Sequence, residues 1–205
     1  MARDTRSIVK MSRREGYALH PKAHKALVKR SGPPGQQSAR GQRNKASQYA
    51  LQLREKQKVK RIYGLLERQF AKLMVEASKG TGQAGELLLQ FLERRADNAV
   101  YRAGFAPSRR AARQLVSHGH FMLNGRRVDV PSIRLKAGDS LVLREASHKN
   151  AYFKSIDDIS PAPSVIPGWL KVNRKKFEIV ITGVPSREEA EPDINEQLIV
   201  EYYSR

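Results

Sequence analysis

The chain has 205 residues (23.2 kDa) and carries 39 Lys and Arg against 20 Asp and Glu, a net charge of +19; this indicates a polyanionic partner, nucleic acid before an anionic membrane surface. Because the sequence contains no cysteine, a disulfide framework, a thiol nucleophile and a thiolate metal site are excluded. No apolar run approaches the roughly 20 residues of a membrane span, and the first residues lack an apolar signal segment, so we expect an intracellular protein.

Residues 1–46 are predicted to be a basic extension. Residues 1–75 hold 19 basic and only 4 acidic side chains. Segment 31–45, SGPPGQQSARGQRNK, has too few large apolar side chains to fold alone. It is either a solubilising arm or an extension that becomes ordered against phosphates, and the charge density favours the second. The phosphate contacts predicted here are Arg3, Arg13, Arg14, Lys22, Lys29, Arg30, Arg40, Arg43 and Lys45.

A helical period follows Ser47, the predicted N-cap. Apolar residues from Val59 to Ala77 recur at spacings of three and four, and Gly80 and Gly82 are predicted to end this helix. A solvated helix face would alternate charges, whereas the opposite face here is almost purely cationic. We interpret it as phosphate-facing, with contacts from Arg54, Lys56, Lys58, Lys60, Arg61 and Arg68.

A helix pair and a hairpin are predicted next. Gly104 ends one helix, Ser108 caps another, and Ala96, Ala99 and Ala103 would let the two approach closely. The dipeptide Asn124-Gly125 predicts a tight turn between strands at 121–123 and 126–130, with a further strand at 141–143. The segment is either a charge-decorated α+β domain or a phosphate-binding surface. We favour the latter, formed by Arg109, Arg110, Arg113, Arg126 and Arg127.

The last 46 residues are not basic, with 6 cationic and 7 anionic side chains. Strands are predicted at 169–172 and 177–181, whereas 198–200 fits either a strand or a buried helix. The acidic stretch either keeps a linker solvated or meets a protein, because RNA would repel it. The protein-contact candidates are Glu188, Glu189, Glu191, Asp193 and Glu196.

Several motifs resemble one family. The segment RRADNAVYRAGFAPSRRAARQLVSHGHFMLNGRRVDVPSIRLKAGD resembles the S4-type RNA-binding module. That module also occurs fused to RNA-modifying and tRNA-charging enzymes, so alone it indicates only structured RNA. The segments SRREG, PPGQ, YALQLREKQKVKRIYGLLERQF and INEQLIVEYYSR resemble the bacterial small-subunit ribosomal protein S4 (uS4) family itself. The resemblance is poorest at 17–32 and 145–192.

The resemblance implies an α+β fold in which a helical domain carries a basic extension and receives an inserted module. We expect an extension at 1–46, a helical domain at 47–93 completed by about 193–205, and the S4-type module with its associated strands at 94–192. The resemblance favours a return of 198–200 to the helical domain.

The same resemblance implies a cytoplasmic, non-enzymatic ribosomal protein. Such a protein binds the 16S rRNA early, nucleates assembly of its 5′ domain and lies near the mRNA entry channel. It contacts ribosomal protein S5 and other small-subunit proteins, influences translational accuracy, and can bind its own mRNA. Many members carry a cysteine cluster for zinc or iron–sulfur, which this chain cannot form. His20 and His24 lack two further ligands nearby, so we expect no metal and no cofactor.

Two functions other than that of a ribosomal protein are compatible with an RNA-binding module. An RNA-modifying enzyme would need a catalytic domain beyond the module, and Asp97 and Asp129 are isolated carboxylates, Asp97 fitting a salt link in the helix pair. A free-standing RNA chaperone or regulator is the stronger alternative. Sedimentation separates it from a ribosomal protein, which should travel with small subunits.

Overall fold

The computed structural model describes residues 4–30, 32–35 and 47–204. The chain forms two compact units: one takes the described residues up to Gly85 and from Asp193 onward, and the other is Glu86–Pro192. The first division lies eight residues before the expected boundary at 93/94. No helix among the described residues is both long enough and apolar enough to cross a bilayer.

The first unit is helical. Ser47 caps α3 by accepting a hydrogen bond from the amide of Ala50 at 3.2 Å, as predicted. Helix α5 (Ala84–Glu93) crosses the division: its first two residues belong to this unit and the other eight to the second. The helices are α1 (Ile8–Glu15), α2 (Pro21–Lys29), α3 (Gln48–Ile62), α4 (Glu67–Ser78), α5 (Ala84–Glu93) and, at the end of the chain, α11 (Glu196–Tyr203).

The single long helix expected between 48 and 79 is wrong, because the chain breaks between α3 and α4. Gly64 has φ +65°. The amide of Leu65 donates to the carbonyl of Lys60 at 2.9 Å, and that of Gly64 to Arg61 at 3.2 Å. These bonds form a Schellman cap, whose left-handed position suits glycine. Since Leu65 and Val59 are both buried, the apolar period continues through the break.

The C-terminal residues complete the helical unit. Residues 198–200, ambiguous in the sequence, lie in α11, and the side chain of Ile199 is fully buried. The side-chain amide of Gln52 on α3 donates to the carboxylate of Glu201 at 2.7 Å. Phe70 and Tyr203 are in ring contact at 6.2 Å. The last helix is therefore part of this unit's core.

The second unit is α+β, with one antiparallel five-stranded sheet in the order β2-β1-β3-β5-β4. Asn124 and Gly125 both have positive φ, as the predicted two-residue turn requires. The returning strand ends at Val128, two residues earlier than expected. The elements are α6 (Ala96–Arg102), α7 (Arg109–Ser117), β1 (Phe121–Leu123), β2 (Arg126–Val128), β3 (Ser140–Leu143), α8 (Glu145–His148), α9 (Ala151–Lys154), α10 (Ile156–Ile159), β4 (Leu170–Asn173) and β5 (Glu178–Ile181).

The core of this unit lies between the helix pair and one face of the sheet. The three alanines predicted to let helices approach are fully buried on and just after α6. Phe105 stacks on Phe121 at 6.4 Å between ring centroids. Alternation along β5 places Ile179 and Ile181 in this core and leaves Glu178 and Val180 on the other face.

Candidate nucleic-acid interface

Two of the cations predicted to face phosphate lie inside the helical unit. Lys56 and Lys60 are 3% and 7% exposed, and each ammonium lies 2.7 Å from a carboxylate oxygen of Glu67. The Tyr203 hydroxyl donates to the same carboxylate at 2.9 Å. Burial alone would raise the pKa of Glu67, but hydrogen bonds from Lys56, Lys60 and Tyr203 outweigh it and lower that pKa to about 2. An exposed phosphate-facing position is therefore wrong for these two lysines.

The other cations of α3 are also engaged. Arg54 and Arg61 both pair with the buried carboxylate of Glu15 on α1, Arg54 at 3.1 Å. Lys58 pairs with Glu55 at 3.2 Å and donates to the carbonyl of Asp193. These contacts connect α1, α3 and the returning chain. The expectation of one exposed cationic face on this helix is thus corrected: Arg54 keeps 42% of its side chain exposed, and Arg68, on α4, is exposed.

Several exposed cations of this unit lie on or beside the N-terminal helices α1 and α2. Arg14, Lys22, Lys29 and Arg30 are exposed, as are Lys10 and Lys25, which the sequence analysis did not single out. Arg13 is half-buried and donates to the carbonyls of Gly32 at 3.1 Å and Pro33 at 3.3 Å. The remaining predicted contacts of the extension, Arg3, Arg40, Arg43 and Lys45, lie outside the described residues.

His20 has a structural role. Its Nδ1 accepts a hydrogen bond from the amide of Lys22 at 3.0 Å and caps α2. Across residues 4–30, 32–35 and 47–204, no three His, Cys, Asp or Glu side chains gather as metal ligands do.

In the second unit, acids hold two of the three arginines that were predicted to project from α7. Arg109 donates to Asn98 Oδ1 at 2.8 Å, lies 2.6 Å from Glu191, and covers the ring of Tyr101 at 4.6 Å. Arg113 lies 3.4 Å from Asp97, whose carboxylate also pairs with Arg95 at 2.8 Å. The outward orientation is therefore wrong for Arg109 and Arg113, whereas Arg110 is exposed.

The salt link expected of Asp97 is present, and Glu93 extends the network. Glu93 is fully buried. Its carboxylate pairs with Arg102 at 2.9 Å and accepts a hydrogen bond from the side-chain amide of Asn98 at 2.8 Å. Arg102 also lies 3.5 Å from Glu191. Burial opposes ionisation of Glu191, but the charges of Arg109 and Arg102 outweigh it and lower the pKa of that carboxyl.

The β1–β2 hairpin presents Arg126 and Arg127, both exposed as predicted. Arg127 lies over Gly119 at the end of α7: a Cβ there would come within 2.5 Å of Arg127 Nε. Arg110 lies near the start of this nine-residue helix, about 10 Å along the axis from its last residue at 1.5 Å per residue. The exposed arginines are thus spread along the helix.

Fewer acids of the acidic stretch are exposed than its sequence suggests. Glu191 is held by arginines, and Glu189 accepts from the amides of Gly168 at 2.6 Å and Ser186 at 2.8 Å. Burial would raise the pKa of Glu189, but these amide bonds lower it. Glu196 is half-buried at the start of α11, beside Gly85. Glu188 and Asp193 are exposed.

Comparisons with known proteins cover the whole chain. A family profile described as the ribosomal protein S4/S9 N-terminal domain matches residues 3–93. A second, the S4 domain, matches 94–141. The chain is similar to proteins named small ribosomal subunit protein uS4 from Herpetosiphon aurantiacus (50% identical), Chloroflexus aurantiacus (47%) and Clostridioides difficile (48%). Each alignment spans all of both sequences.

Proposed function

The chain belongs to the uS4 family of small ribosomal subunit proteins, and from this premise we propose that it is a primary 16S rRNA binder that nucleates assembly of the 5′ domain. It is a structural constituent of the small subunit in the cytoplasm, with RNA-binding domains and no enzymatic role. Its RNA target, its neighbours and its effect on accuracy are the proposed part.

The observation that carries the proposal is the separation of the cations into two sets. Cations with buried side chains, such as Lys56, Lys60 and Arg61, form ion pairs with Glu67 and Glu15. Exposed cations on α1, α2, α7 and the β1–β2 hairpin face solvent, where an external polyanion can reach them. Because the exposed cations project from packed helices and a hairpin, little backbone conformational entropy is lost when phosphates bind.

Duplex RNA is the polyanion that suits this arrangement. Its backbone and shape, rather than its base edges, are what proteins read, and arginine forms bidentate bonds with phosphate. The large aromatic side chains Phe70, Phe105 and Phe121 are buried and cannot stack on bases. We therefore assign backbone contacts to Arg14, Lys22, Lys29, Arg30, Arg68, Arg110, Arg126 and Arg127.

Glu188 and Asp193 are the proposed contact with another small-subunit protein, ribosomal protein S5, near the mRNA entry channel. Both carboxylates are exposed and would be repelled by RNA. A basic protein surface is the fitting neighbour, and the contact would influence translational accuracy. Binding to the protein's own mRNA would use the same exposed cations.

The test is binding of the purified protein to a transcript of the 16S 5′ domain, compared with one of the 3′ domain. We expect preferential 5′-domain binding and an affinity that falls steeply with salt. Equal binding to both transcripts would contradict the assignment. A protein that sediments apart from small subunits in a cell extract would favour the RNA chaperone.

A further inference from the structure

The turn between β4 and β5 (residues 173–177) forms a basic knuckle within the last 46 residues, which carry no excess of positive charge overall. Its sequence from Asn173 is NRKKF. Asn173 Oδ1 accepts from the amide of Lys176 at 3.2 Å and closes the turn. Phe177 then has φ +50°, a left-handed conformation uncommon for a bulky residue.

The first cation of this turn faces inward. Arg174 donates to the carbonyls of Gly104, at 3.1 Å, and of Ser160. Its Nε lies 2.9 Å from the carboxylate of Asp157. The guanidinium therefore fastens the turn to the body of the unit, and its charge is met by Asp157.

Phe177 fastens the other side of the turn. Its ring lies 5.7 Å from Phe105 and 5.8 Å from Phe153. Lys175 and Lys176, between these two anchors, are exposed. The anchors make the turn a fixed support for the two lysines.

A third lysine adjoins the knuckle. The ring of His148, at the end of α8, contacts the ring of Phe177 at 5.4 Å. Lys149 directly follows His148 and Lys176 directly precedes Phe177, so each lysine is the chain neighbour of a ring in this contact. Both lysines are exposed. The surrounding acids are partly engaged: Asp157 holds Arg174 and Glu178 accepts from Ser140 Oγ at 3.4 Å, while Glu145 and Asp158 are exposed.

We propose that Lys149, Lys175 and Lys176 form a further RNA-binding site, which takes backbone phosphates. The inference rests on the proposed function and extends it to the opposite end of the sheet from the β1–β2 hairpin, since β2 and β4 are its two edge strands. Lysine ammonium groups bind phosphate as point charges. The aromatic rings beside them pack inward, which suits backbone rather than base contact.

The first experiment compares two double variants that remove the same charge. Lys175→Ala with Lys176→Ala should weaken binding to the 16S 5′-domain transcript roughly tenfold at 0.15 M salt and reduce the salt slope by about two. Lys72→Ala with Lys79→Ala, two exposed lysines of the helical unit, is the matched control and should change affinity less than threefold. Unchanged unfolding temperatures will show that both variants remain folded.

The second experiment localises the contact, using the absence of cysteine. A Lys175→Cys variant has a single thiol, to which an iron chelate that cleaves nearby RNA can be attached. We expect cleavage of the bound transcript at discrete nucleotides, and none from the same probe on Glu188→Cys.

The outcomes separate the two proposals. Failure of the wild-type protein to prefer the 5′-domain transcript would overturn both. Normal wild-type binding, with equal losses in the two double variants or no cleavage from position 175, would overturn only the knuckle site. If the Lys175→Ala, Lys176→Ala variant keeps its RNA affinity but loses binding to an acidic small-subunit protein, the knuckle is a protein contact and the RNA proposal is wrong.

Discussion

The Tyr203 hydroxyl donates to the carboxylate of Glu67 across 2.9 Å, and this bond ties the last helix to the start of α4. The same carboxylate forms ion pairs with both Lys56 and Lys60, so one acid connects three helices. The C-terminal tail is thereby structural. Truncation after Pro192 would remove the buried Ile199 as well as Tyr203 and so destabilise the helical unit.

Glu67→Gln should therefore destabilise the helical unit. The substitution leaves two nearly buried ammonium groups without a carboxylate, and because Glu67 itself is 45% exposed we expect a discounted loss of about 2 kcal/mol in the free energy of unfolding. Tyr203→Phe removes one hydrogen bond and should cost about 1 kcal/mol. Urea unfolding at pH 7 measures both; equal stabilities for wild type and Glu67→Gln would contradict the prediction.

The same residue predicts a pH dependence. The pKa of Glu67 is lowered to about 2, so its contribution is complete above its unfolded pKa of about 4.3 and is lost as the pH falls from there toward 2. Glu67→Gln should flatten the stability profile in that window. Parallel wild-type and variant profiles between pH 4.5 and 2.5 would show that the carboxylate does not titrate this way.

Arg109 and Arg110 should behave oppositely despite being neighbours. Arg109→Ala removes the contacts of this guanidinium with Glu191, Asn98 and Tyr101 and should lower the free energy of unfolding by about 2 kcal/mol. Arg110→Ala should preserve stability and weaken RNA binding, because this side chain is exposed. Denaturant unfolding and RNA titration of both variants provide the check. Loss of stability in Arg110→Ala would remove it from the proposed interface.

The exposed N-terminal cations should dominate the salt dependence. A variant with Arg14, Lys22, Lys29 and Arg30 replaced by Ala should reduce the slope of log affinity against log salt by up to about four. Lys56→Met is the control: it removes a buried cation and should lower stability while leaving the slope unchanged. Equal slopes in wild type and the fourfold variant would exclude these side chains from the interface.

Charge reversal at the exposed acids tests the proposed protein contact. Glu188→Lys with Asp193→Lys should leave binding to naked 5′-domain RNA within about threefold. The same variant in ribosomes should raise misreading of near-cognate codons in a reporter assay, because the S5 contact is weakened. Normal misreading, together with stronger RNA binding, would make this stretch an RNA-proximal surface.

Metal removal should have no effect. The chain lacks cysteine, and His20 is occupied as the cap of α2. Dialysis against a chelator should therefore leave the unfolding temperature and the RNA affinity unchanged. Stoichiometric zinc in the purified protein would contradict this.

Local features of the fold were predictable from the sequence. Ser47 and Ser108 cap helices, and Asn124-Gly125 forms the tight turn, because each depends on residues within a few positions. The break at Gly64 was missed since the apolar period continues across it. A single glycine in a helical pattern gives a weak signal, and only the observed cap resolves it.

Apart from the salt link of Asp97, the ion pairs of the candidate site were not predictable, because their partners are distant in sequence. Arg61 finds Glu15, 46 residues away, and Arg109 finds Glu191, 82 residues away. In the sequence, a run of cations looks the same whether its side chains stay unpaired or form ion pairs with acids from distant segments. Composition predicted a polyanion partner correctly, yet it could not sort exposed cations from paired ones.

The return of the chain at Asp193 also sets an order of events during synthesis. Glu86–Pro192 is contiguous, so every residue of that unit has been made before α11 exists. The helical unit starts before that unit in the chain but also needs Ile199 and Tyr203, which are translated after all of Glu86–Pro192. During synthesis, the domain nearest the N-terminus normally folds first. Here the unit Glu86–Pro192 can fold first, and the helical unit cannot be completed until α11 has been made.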